Sequence, residues 1–271
     1  MTDRIETLLG PLNMDGIGLE VAPYFNPAID ADKYNVRYTD YISTEEILKK
    51  AADNPGAVGR KVPEIHFVWE PGKSLRECVN EKIEFDYALA SHVIEHVPNT
   101  IGWLNHILET MRVGAKLALA VPDRRRTMDF YRRETTFGEL VGNWINNPAI
   151  PTPTQVFDFL SQSFYDNRTA ENGYKMLDVN NTPFEKIDRH YSDQQALEFA
   201  AFTVNQNHYL DVHCTVWTPE QFVEVFNRVV GIGLMNVRLS DPIVASDRDE
   251  FIIHMEKLGE PTTRRQDIIL D

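Results

Sequence analysis

The sequence predicts an α/β fold with a doubly wound, mainly parallel sheet, and three observations favour it. Residues 85–123 read as strand, polar loop, helix, glycine turn and strand, which is one βαβ unit. Further short apolar runs end in polar residues, as the buried strands of a parallel sheet do. The 271 residues are 42% hydrophobic, which suffices for one α/β core and leaves room for an insertion.

Three predicted strands precede the βαβ unit, at residues 17–22, 35–40 and 65–70. Glu20, Asp40 and Glu70 lie at or near their carboxyl ends. The first connection is short and lacks a phosphate-binding glycine loop, which argues against a pyrophosphate-bearing dinucleotide. Because ligands of open α/β sheets bind beyond the carboxyl ends of the strands, these acids predict a cofactor lying across the strand ends.

The two strands of the βαβ unit also end in polar groups. The first, residues 85–91, runs into the loop SHVIEH, and the second ends at Asp123 before Arg124, Arg125 and Arg126. We therefore expect a site at this edge of the sheet.

The rest of the chain predicts one inserted region within a single α/β domain. Residues 1–123 and 208–271 are assigned to that domain, and residues 124–207 form a mostly helical insertion that covers the site as a lid. Residues 211–217 predict a strand or extended segment, and residues 233–241 and 249–257 an antiparallel edge pair.

Charge and composition exclude several classes of partner. A net charge of −14 argues against nucleic acid and anionic membrane surfaces. No apolar run is long enough to span a membrane, and the first residues lack the pattern of a signal peptide, so we expect a cytoplasmic protein. Cys78 and Cys214 lack metal-ligand spacing and predict reduced thiols. The partner expected is a small molecule, and a homodimer is compatible with the sequence.

The order LEVAPYFNP, NVRYTD, IHFVWE, FDYALASHVIEHVP, GAKLALAVPD and DVHCTVWTPEQF resembles the class I S-adenosylmethionine (SAM) dependent methyltransferases. It is most similar to a bacterial group associated with surface-glycan biosynthesis. The resemblance implies a Rossmann-like sheet of seven strands with the last antiparallel, and SAM as the cofactor.

The resemblance also implies a set of cofactor-binding residues. Glu20 to Pro23 lie along the methionine moiety, Asp40 holds the ribose hydroxyls, and Trp69 and Glu70 border the adenine. The full set is Glu20, Ala22, Pro23, Asn26, Asp40, Trp69, Glu70, Ser91 and His92. The family pattern LEIGP has glycine where this chain has Ala22, so the methyl group is expected to crowd the cofactor or shift the loop.

Methyl transfer to a hydroxyl needs an aligned acceptor and a base for its proton. His96 is the expected base, with His213 near the same rim; a histidine can also cap a helix or bond a buried carbonyl. Asp123 is expected to bond the acceptor or, alternatively, to cap the next helix. The acceptor predicted is a sugar, nucleotide sugar or phosphorylated glycan precursor, methylated on oxygen. Arg124, Arg125 and Arg126 are candidate anchors for its phosphate or carboxylate.

Two alternatives remain at this point. His92, Glu95 and His96 match the HxxEH motif of inverted zinc peptidases, although Pro98 disfavours the continuous helix that this motif needs. Ala22 also allows a protein that binds the cofactor without catalysis.

Overall fold

The computed structural model describes residues 3–52, 54–79, 82–164, 184–245 and 247–269. The strands are β1 (Gly18–Val21), β2 (Val36–Asp40), β3 (Phe67–Val68), β4 (Phe85–Ser91), β5 (Met111–Pro122), β6 (Val237–Leu239), β7 (Ile243–Val244) and β8 (Glu250–Lys257). The α-helices are α1 (Arg4–Leu9), α2 (Thr44–Ala52), α3 (Leu75–Cys78), α4 (Thr100–Glu109), α5 (Phe137–Asn146), α6 (Pro153–Gln162), α7 (Asp193–Gln206), α8 (Pro219–Gly231) and α9 (Arg265–Ile268). Short 3-10 helices lie at Pro55–Ala57, Ile94–His96, Arg124–Arg126 and Phe184–Lys186.

The strands form one sheet in the order β3-β2-β1-β4-β5-β8-β6, with β7 paired to β8. Strands β1 to β5 pair in parallel, whereas β8 runs antiparallel to β5, β6 and β7. The predicted doubly wound α/β sheet with an antiparallel closing strand is confirmed. Strand order reverses between β1 and β4, so the carboxyl ends of these two strands flank a crevice.

Both faces of the sheet are buried, which explains why its strands are almost continuously apolar. In β4, Ala88 and Ala90 face one core cluster, whereas Tyr87 and Leu89 face the other. Gly18 in β1 is required by this packing, because a Cβ there would lie 2.0 Å from a ring carbon of Tyr87. Close packing of this kind fixes the strand ends, and with them the site.

The helices of residues 124–207 belong to two different cores. Capping boxes at Thr136, Thr152 and Ser192 begin α5, α6 and α7. Helix α5 packs against the main core, whereas α6 and α7 form a separate cluster that includes Val212 and Cys214. Residues 165–183 of the predicted insertion lie outside the described residues, and its role as a lid remains a prediction.

In the segment between α7 and α8, residues 212–218 are buried but pair with no strand of the sheet within the described ranges. Instead, the backbone N–H groups of Cys214 and Thr215 donate to the carbonyl of Glu95, at 2.5 and 3.2 Å. The segment therefore lies against the loop that follows β4. None of the helices in the described part of the chain is long and apolar enough to cross a membrane.

Candidate active site

A cavity of about 530 Å³ opens at the carboxyl ends of β1 and β4, and we call it the strand-end cavity. Its walls come from α1, the loops after β1 and β4, and the chain that enters β8. The size and position are those of a small-molecule site in an α/β fold. Of the cofactor-binding residues predicted from the sequence, the cavity lining contains Glu20, Ala22, Pro23, Asn26, Ser91 and His92.

Three lining residues adopt a left-handed backbone conformation: Ala22, Tyr24 and His92, with φ of 51°, 50° and 55°. For residues other than glycine this conformation costs about 1 kcal/mol or more each. Ala22 and His92 directly follow β1 and β4, so both strands end in sharp turns. Ala22 thus adopts a conformation that glycine tolerates more readily, and its N–H donates to the carbonyl of Thr39 at 2.7 Å.

Glu20 holds the loop that follows β1. Its buried carboxylate accepts the N–H groups of Ala28 at 2.7 Å and Ile29 at 2.9 Å. Burial raises the pKa of Glu20 to about 7, although these two hydrogen bonds and Arg4 act in the opposite direction. The carboxylate fixes the wall of the strand-end cavity.

Asp40, at the end of β2, is buried and keeps one unsatisfied oxygen. Its Oδ1 has no hydrogen-bond partner in the described part of the chain. Burial raises the pKa of Asp40 to about 6, against the effect of the backbone N–H groups of Ile42, Tyr41 and Tyr24. Tyr24 lines the strand-end cavity, so Asp40 is next to a lining residue without being part of the lining itself. An unsatisfied buried carboxylate oxygen is a place where a ligand hydroxyl can donate.

The two predicted residues after β3 lie outside the cavity lining. Trp69 is stacked on Trp103, with ring centroids 6.2 Å apart and planes at 8°, and its Nε1–H donates to the carbonyl of Lys73. Glu70 forms an exposed ion pair with Lys73 at 2.7 Å. The Trp69 ring offers an aromatic face at the end of β3, whereas the Glu70 carboxylate is already paired with Lys73 in solvent.

A polar network that the sequence did not indicate lines the opposite side of the cavity. The Arg4 guanidinium donates to both oxygens of Glu250, at 2.5 and 2.8 Å, and to Ser91 Oγ at 2.6 Å. His92 Nε2 lies 2.8 Å from Glu250 Oε2. Burial alone would raise the pKa of Glu250, but the hydrogen bonds from His92 and Arg4 lower it to about 2. The network ties α1 to β4 and β8.

Beyond His92, three side chains form what we call the rim cluster: Glu95, His96 and His213. One nitrogen or oxygen atom from each lies within 4.8 Å of the others. Glu95 Oε1 is 3.8 Å from His96 Nε2 and 3.7 Å from His92 Nδ1, so Glu95 connects the rim cluster to the strand-end cavity. The rings of His96 and His213 meet edge to face, with centroids 4.8 Å apart. The structure brings the two predicted catalytic histidines together.

Carboxylates orient both histidines from outside the cluster. His213 Nδ1 lies 2.5 Å from Asp129 Oδ2, and Asp129 also accepts from Arg132 at 2.7 Å. His96 Nδ1 lies 2.8 Å from Asp211 Oδ1, which is close enough for an ion pair. The angles of this contact are not those of a hydrogen bond. Burial would lower the pKa of His96, but Asp211 and Glu95 outweigh it and raise that pKa. Despite burial, His213 and Arg132 hold the pKa of Asp129 well below its usual range.

Asp123 and the three arginines have partners within the protein. Asp123 is fully buried, caps the 3-10 helix that follows it, and accepts from Arg125 at 2.7 and 2.9 Å. Arg124 donates to the carbonyl of Phe130. Arg126 donates to two carbonyls in the loop before β8, at residues 245 and 248. Only Arg125 among the three has a side chain more than one-third exposed, at 42%.

The HxxEH residues are not on a continuous helix. His92 has a left-handed backbone, and Glu95 and His96 belong to the 3-10 helix Ile94–His96. The inverted zinc-peptidase motif needs its histidines on successive turns of one α-helix. The zinc-hydrolase alternative therefore lacks its structural requirement.

Comparison with known proteins identifies the fold and the family. The family model described as a methyltransferase domain matches residues 17–229. No curated protein sequence matches the chain.

Three solved structures are similar at low identity. An S-adenosylmethionine-dependent methyltransferase from Clostridium acetobutylicum is 10% identical over 94% of this chain and 89% of its own, with a TM-score of 0.45. The glycopeptide N-methyltransferase MtfA, complexed with S-adenosylhomocysteine, is 12% identical over 93% of this chain and 88% of its own, with a TM-score of 0.42. The CcbJ methyltransferase from Streptomyces caelestis is 12% identical over 45% of this chain and 52% of its own, with a TM-score of 0.32. This chain therefore spans about half the length of CcbJ.

Proposed function

The chain belongs to this methyltransferase-domain family, and from that premise we propose that it transfers a methyl group from SAM to an oxygen atom of a small polar acceptor. The observation that carries the proposal is the loop of residues 91–96, which lines the strand-end cavity at one end and supplies two members of the rim cluster at the other. The cofactor and the acceptor can then bind at the two ends of one six-residue loop.

The residues present fit SAM. Asp40, which neighbours Tyr24 of the cavity lining, keeps an unsatisfied carboxylate oxygen, and we assign the ribose hydroxyls to it. Glu20 and Glu250 give the cavity carboxylates that suit a ligand carrying a sulfonium and an ammonium group. Arg4 is also in the cavity lining, and its guanidinium suits a carboxylate such as that of the methionine moiety.

The rim cluster serves the acceptor. When bound, SAM supplies a methyl group whose bond to sulfur breaks, with the electron pair left on sulfur, as the bond to the acceptor oxygen forms. His96 accepts the acceptor's proton, and its side chain, 30% exposed, is reachable from outside. His213, held by Asp129, orients the acceptor from the second element of the rim.

We further propose that the acceptor is anionic and glycan-related: a sugar acid, nucleotide sugar or phosphorylated precursor. We assign the anchoring role to Arg125, because its guanidinium is partly exposed and follows the carboxyl end of β5. Arg124 and Arg126 support this loop through carbonyls instead.

Calorimetric titration of the purified protein with SAM and with S-adenosylhomocysteine tests the proposal first. We expect micromolar binding of both, followed by transfer of labelled methyl groups to phosphorylated or nucleotide-linked sugars. If neither SAM nor S-adenosylhomocysteine binds, the proposed function is contradicted. Binding without transfer to any acceptor of this class would indicate a cofactor-binding protein that lacks catalysis.

A further inference from the structure

We propose that the rim cluster is a binding site for one divalent transition-metal cation such as Zn²⁺, Mn²⁺ or Co²⁺, with Glu95, His96 and His213 as its protein ligands. The site itself is inferred from geometry alone. Its part in catalysis rests on the proposed function.

The spacing of the cluster fits a cation better than a hydrogen-bond network. Glu95 Oε1 and His96 Nε2 are 3.8 Å apart, too far for a hydrogen bond between them. Ligand atoms of one tetrahedral cation, each about 2.1 Å from it, lie about 3.4 Å from one another. Since the three donors lie within 4.8 Å of one another, movements of about 1 Å bring all of them onto one ion.

Glu95 supplies a second, independent observation. Its side chain is 2% exposed, and Oε2 has no hydrogen-bond partner within the described ranges. Its backbone carbonyl is already bonded to Cys214 and Thr215, so the residue is fixed in place. A buried carboxylate with an unsatisfied oxygen is costly unless it is paired or coordinates a metal.

The surroundings of both histidines match those of metal ligands. A ligating histidine commonly donates its other ring N–H to a carboxylate, which fixes the ring and the tautomer. Asp129 holds His213 in this way through Nδ1, and Asp211 lies 2.8 Å from Nδ1 of His96. Nε2 of His96 then lies 3.8 Å from Glu95 Oε1, and Nε2 of His213 is not used by Asp129. Two imidazoles and one carboxylate suit the first-row transition metals, with coordination positions open for an acceptor.

For the proposed methyl transfer, the cation would bind the acceptor oxygen and lower the pKa of its hydroxyl. The proton would leave to solvent when the acceptor binds, before the oxygen attacks the methyl carbon. His96 would then act as a ligand and not as the direct proton acceptor.

The test uses full-length protein without a histidine tag, stripped of metal and titrated with Co²⁺. We expect one equivalent to bind and produce visible absorption bands of a site with nitrogen and oxygen ligands. Glu95→Gln, which preserves size and removes the charge, should weaken binding at least 10-fold, as should His213→Ala. His106→Ala is the matched control, because His106 pairs with Glu109 on the exposed face of α4 and should leave Co²⁺ binding unchanged.

Binding of S-adenosylhomocysteine is measured on every variant to identify variants that misfold. If Glu95→Gln or His213→Ala misfolds, His96→Ala takes its place, because the His96 side chain is partly exposed. No stoichiometric Co²⁺ binding by the wild-type protein, or undiminished binding by Glu95→Gln, overturns the site. If the wild-type protein binds Co²⁺ but not S-adenosylhomocysteine, the metal site is supported and the proposed methyltransferase function is contradicted. If methyl transfer continues after all metal is removed, the catalytic role of the cation is contradicted, but the metal site is not.

Discussion

The strand-end cavity and the rim cluster share one loop but are built differently. The cavity is formed largely where neighbouring parallel strands end, at residues 20–28 and 91–92. The rim cluster instead joins a 3-10 helix after β4 to an extended segment more than 110 residues later in the chain. Of its supporting acids, Asp129 comes from a further loop before α5, and Asp211 lies in the same segment as His213. Regular secondary structure thus positions the proposed cofactor half of the site, the strand-end cavity, and loop contacts position the proposed acceptor half, the rim cluster.

This difference predicts that the two halves can be damaged separately. The largest effect should come from His96→Ala, which removes a member of the rim cluster. Turnover should fall about 100-fold or more, the usual contribution of a positioned acid–base group. The dissociation constant for S-adenosylhomocysteine, from calorimetry, should change less than about 2-fold because His96 is not part of the cavity lining. His106→Ala is the control. Equal loss of turnover and cofactor binding would mean that the two halves are one unit.

The converse change is Asp40→Asn, which damages the cofactor half. A hydrogen bond to a charged group contributes about 1.5–3 kcal/mol, so the dissociation constant for SAM should rise about 10- to 100-fold. Turnover at saturating SAM should stay within about 3-fold of wild type. Asp193→Asn, on the exposed start of α7, serves as the matched control. An unchanged dissociation constant in Asp40→Asn would show that the oxygen left unpaired in the structure is not a ligand group.

The same contrast explains how much the sequence could predict. Glu20, Ser91 and His92 were found because each lies at or beside the end of an apolar strand, and parallel strands end together. Arg4 was missed since a single arginine in a six-residue helix gives no signal, and its partner Glu250 lies 246 residues away. The prediction of a sheet with an antiparallel closing strand is confirmed. Its strands can be recognised in the sequence because burial on both faces of the sheet requires apolar residues.

The acceptor half was predictable only in part. His96 and His213 were named, but their contact depends on backbone hydrogen bonds from Cys214 and Thr215 to Glu95, which no periodicity encodes. Asp211 is two residues before His213, so the sequence could indicate it as a partner of the histidines. Asp129 is far from both histidines in the sequence and could not be identified in this way. Tertiary contacts between loops, unlike strand ends, follow no rule that can be read from local sequence.

A smaller effect should appear when pH is lowered. Asp40 has a pKa raised to about 6, so it is ionised at pH 8 and about 90% protonated at pH 5. Because ribose hydroxyls bond the ionised form better, SAM should bind fully above about pH 7 and up to about 10-fold more weakly at pH 5. Calorimetry should detect proton release on binding near pH 6. In Asp40→Asn, the remaining pH dependence should be that of Glu20, whose pKa is about 7, and of His92, whose pKa, despite burial, is raised by Glu250.

The sign of this effect separates it from acid unfolding. A carboxyl group whose pKa is higher in the folded than in the unfolded state favours folding in its protonated form. Acid therefore does not destabilise the fold through Asp40 or Glu20. Glu250, with a pKa lowered to about 2, acts oppositely, and its contribution to stability is lost only as pH falls below about 4.5 towards 2. An affinity loss that tracks thermal stability between pH 8 and 5 would contradict the assignment to Asp40.

The smallest effect expected is that of Arg125→Ala on the acceptor. A partly exposed ion pair contributes about 1 kcal/mol at most, so the KM for a phosphorylated acceptor should rise about 3- to 5-fold with little change in kcat. Arg133→Ala is the matched control, because Arg133 is an exposed arginine paired with Glu139. Since Arg125 also pairs with buried Asp123, thermal denaturation of both variants separates a folding defect from a binding defect. A KM that is unchanged for an anionic acceptor, or that rises equally for a neutral one, would leave Arg125 with only its role in holding Asp123. The acceptor half would then depend on the rim cluster for its recognition of charge.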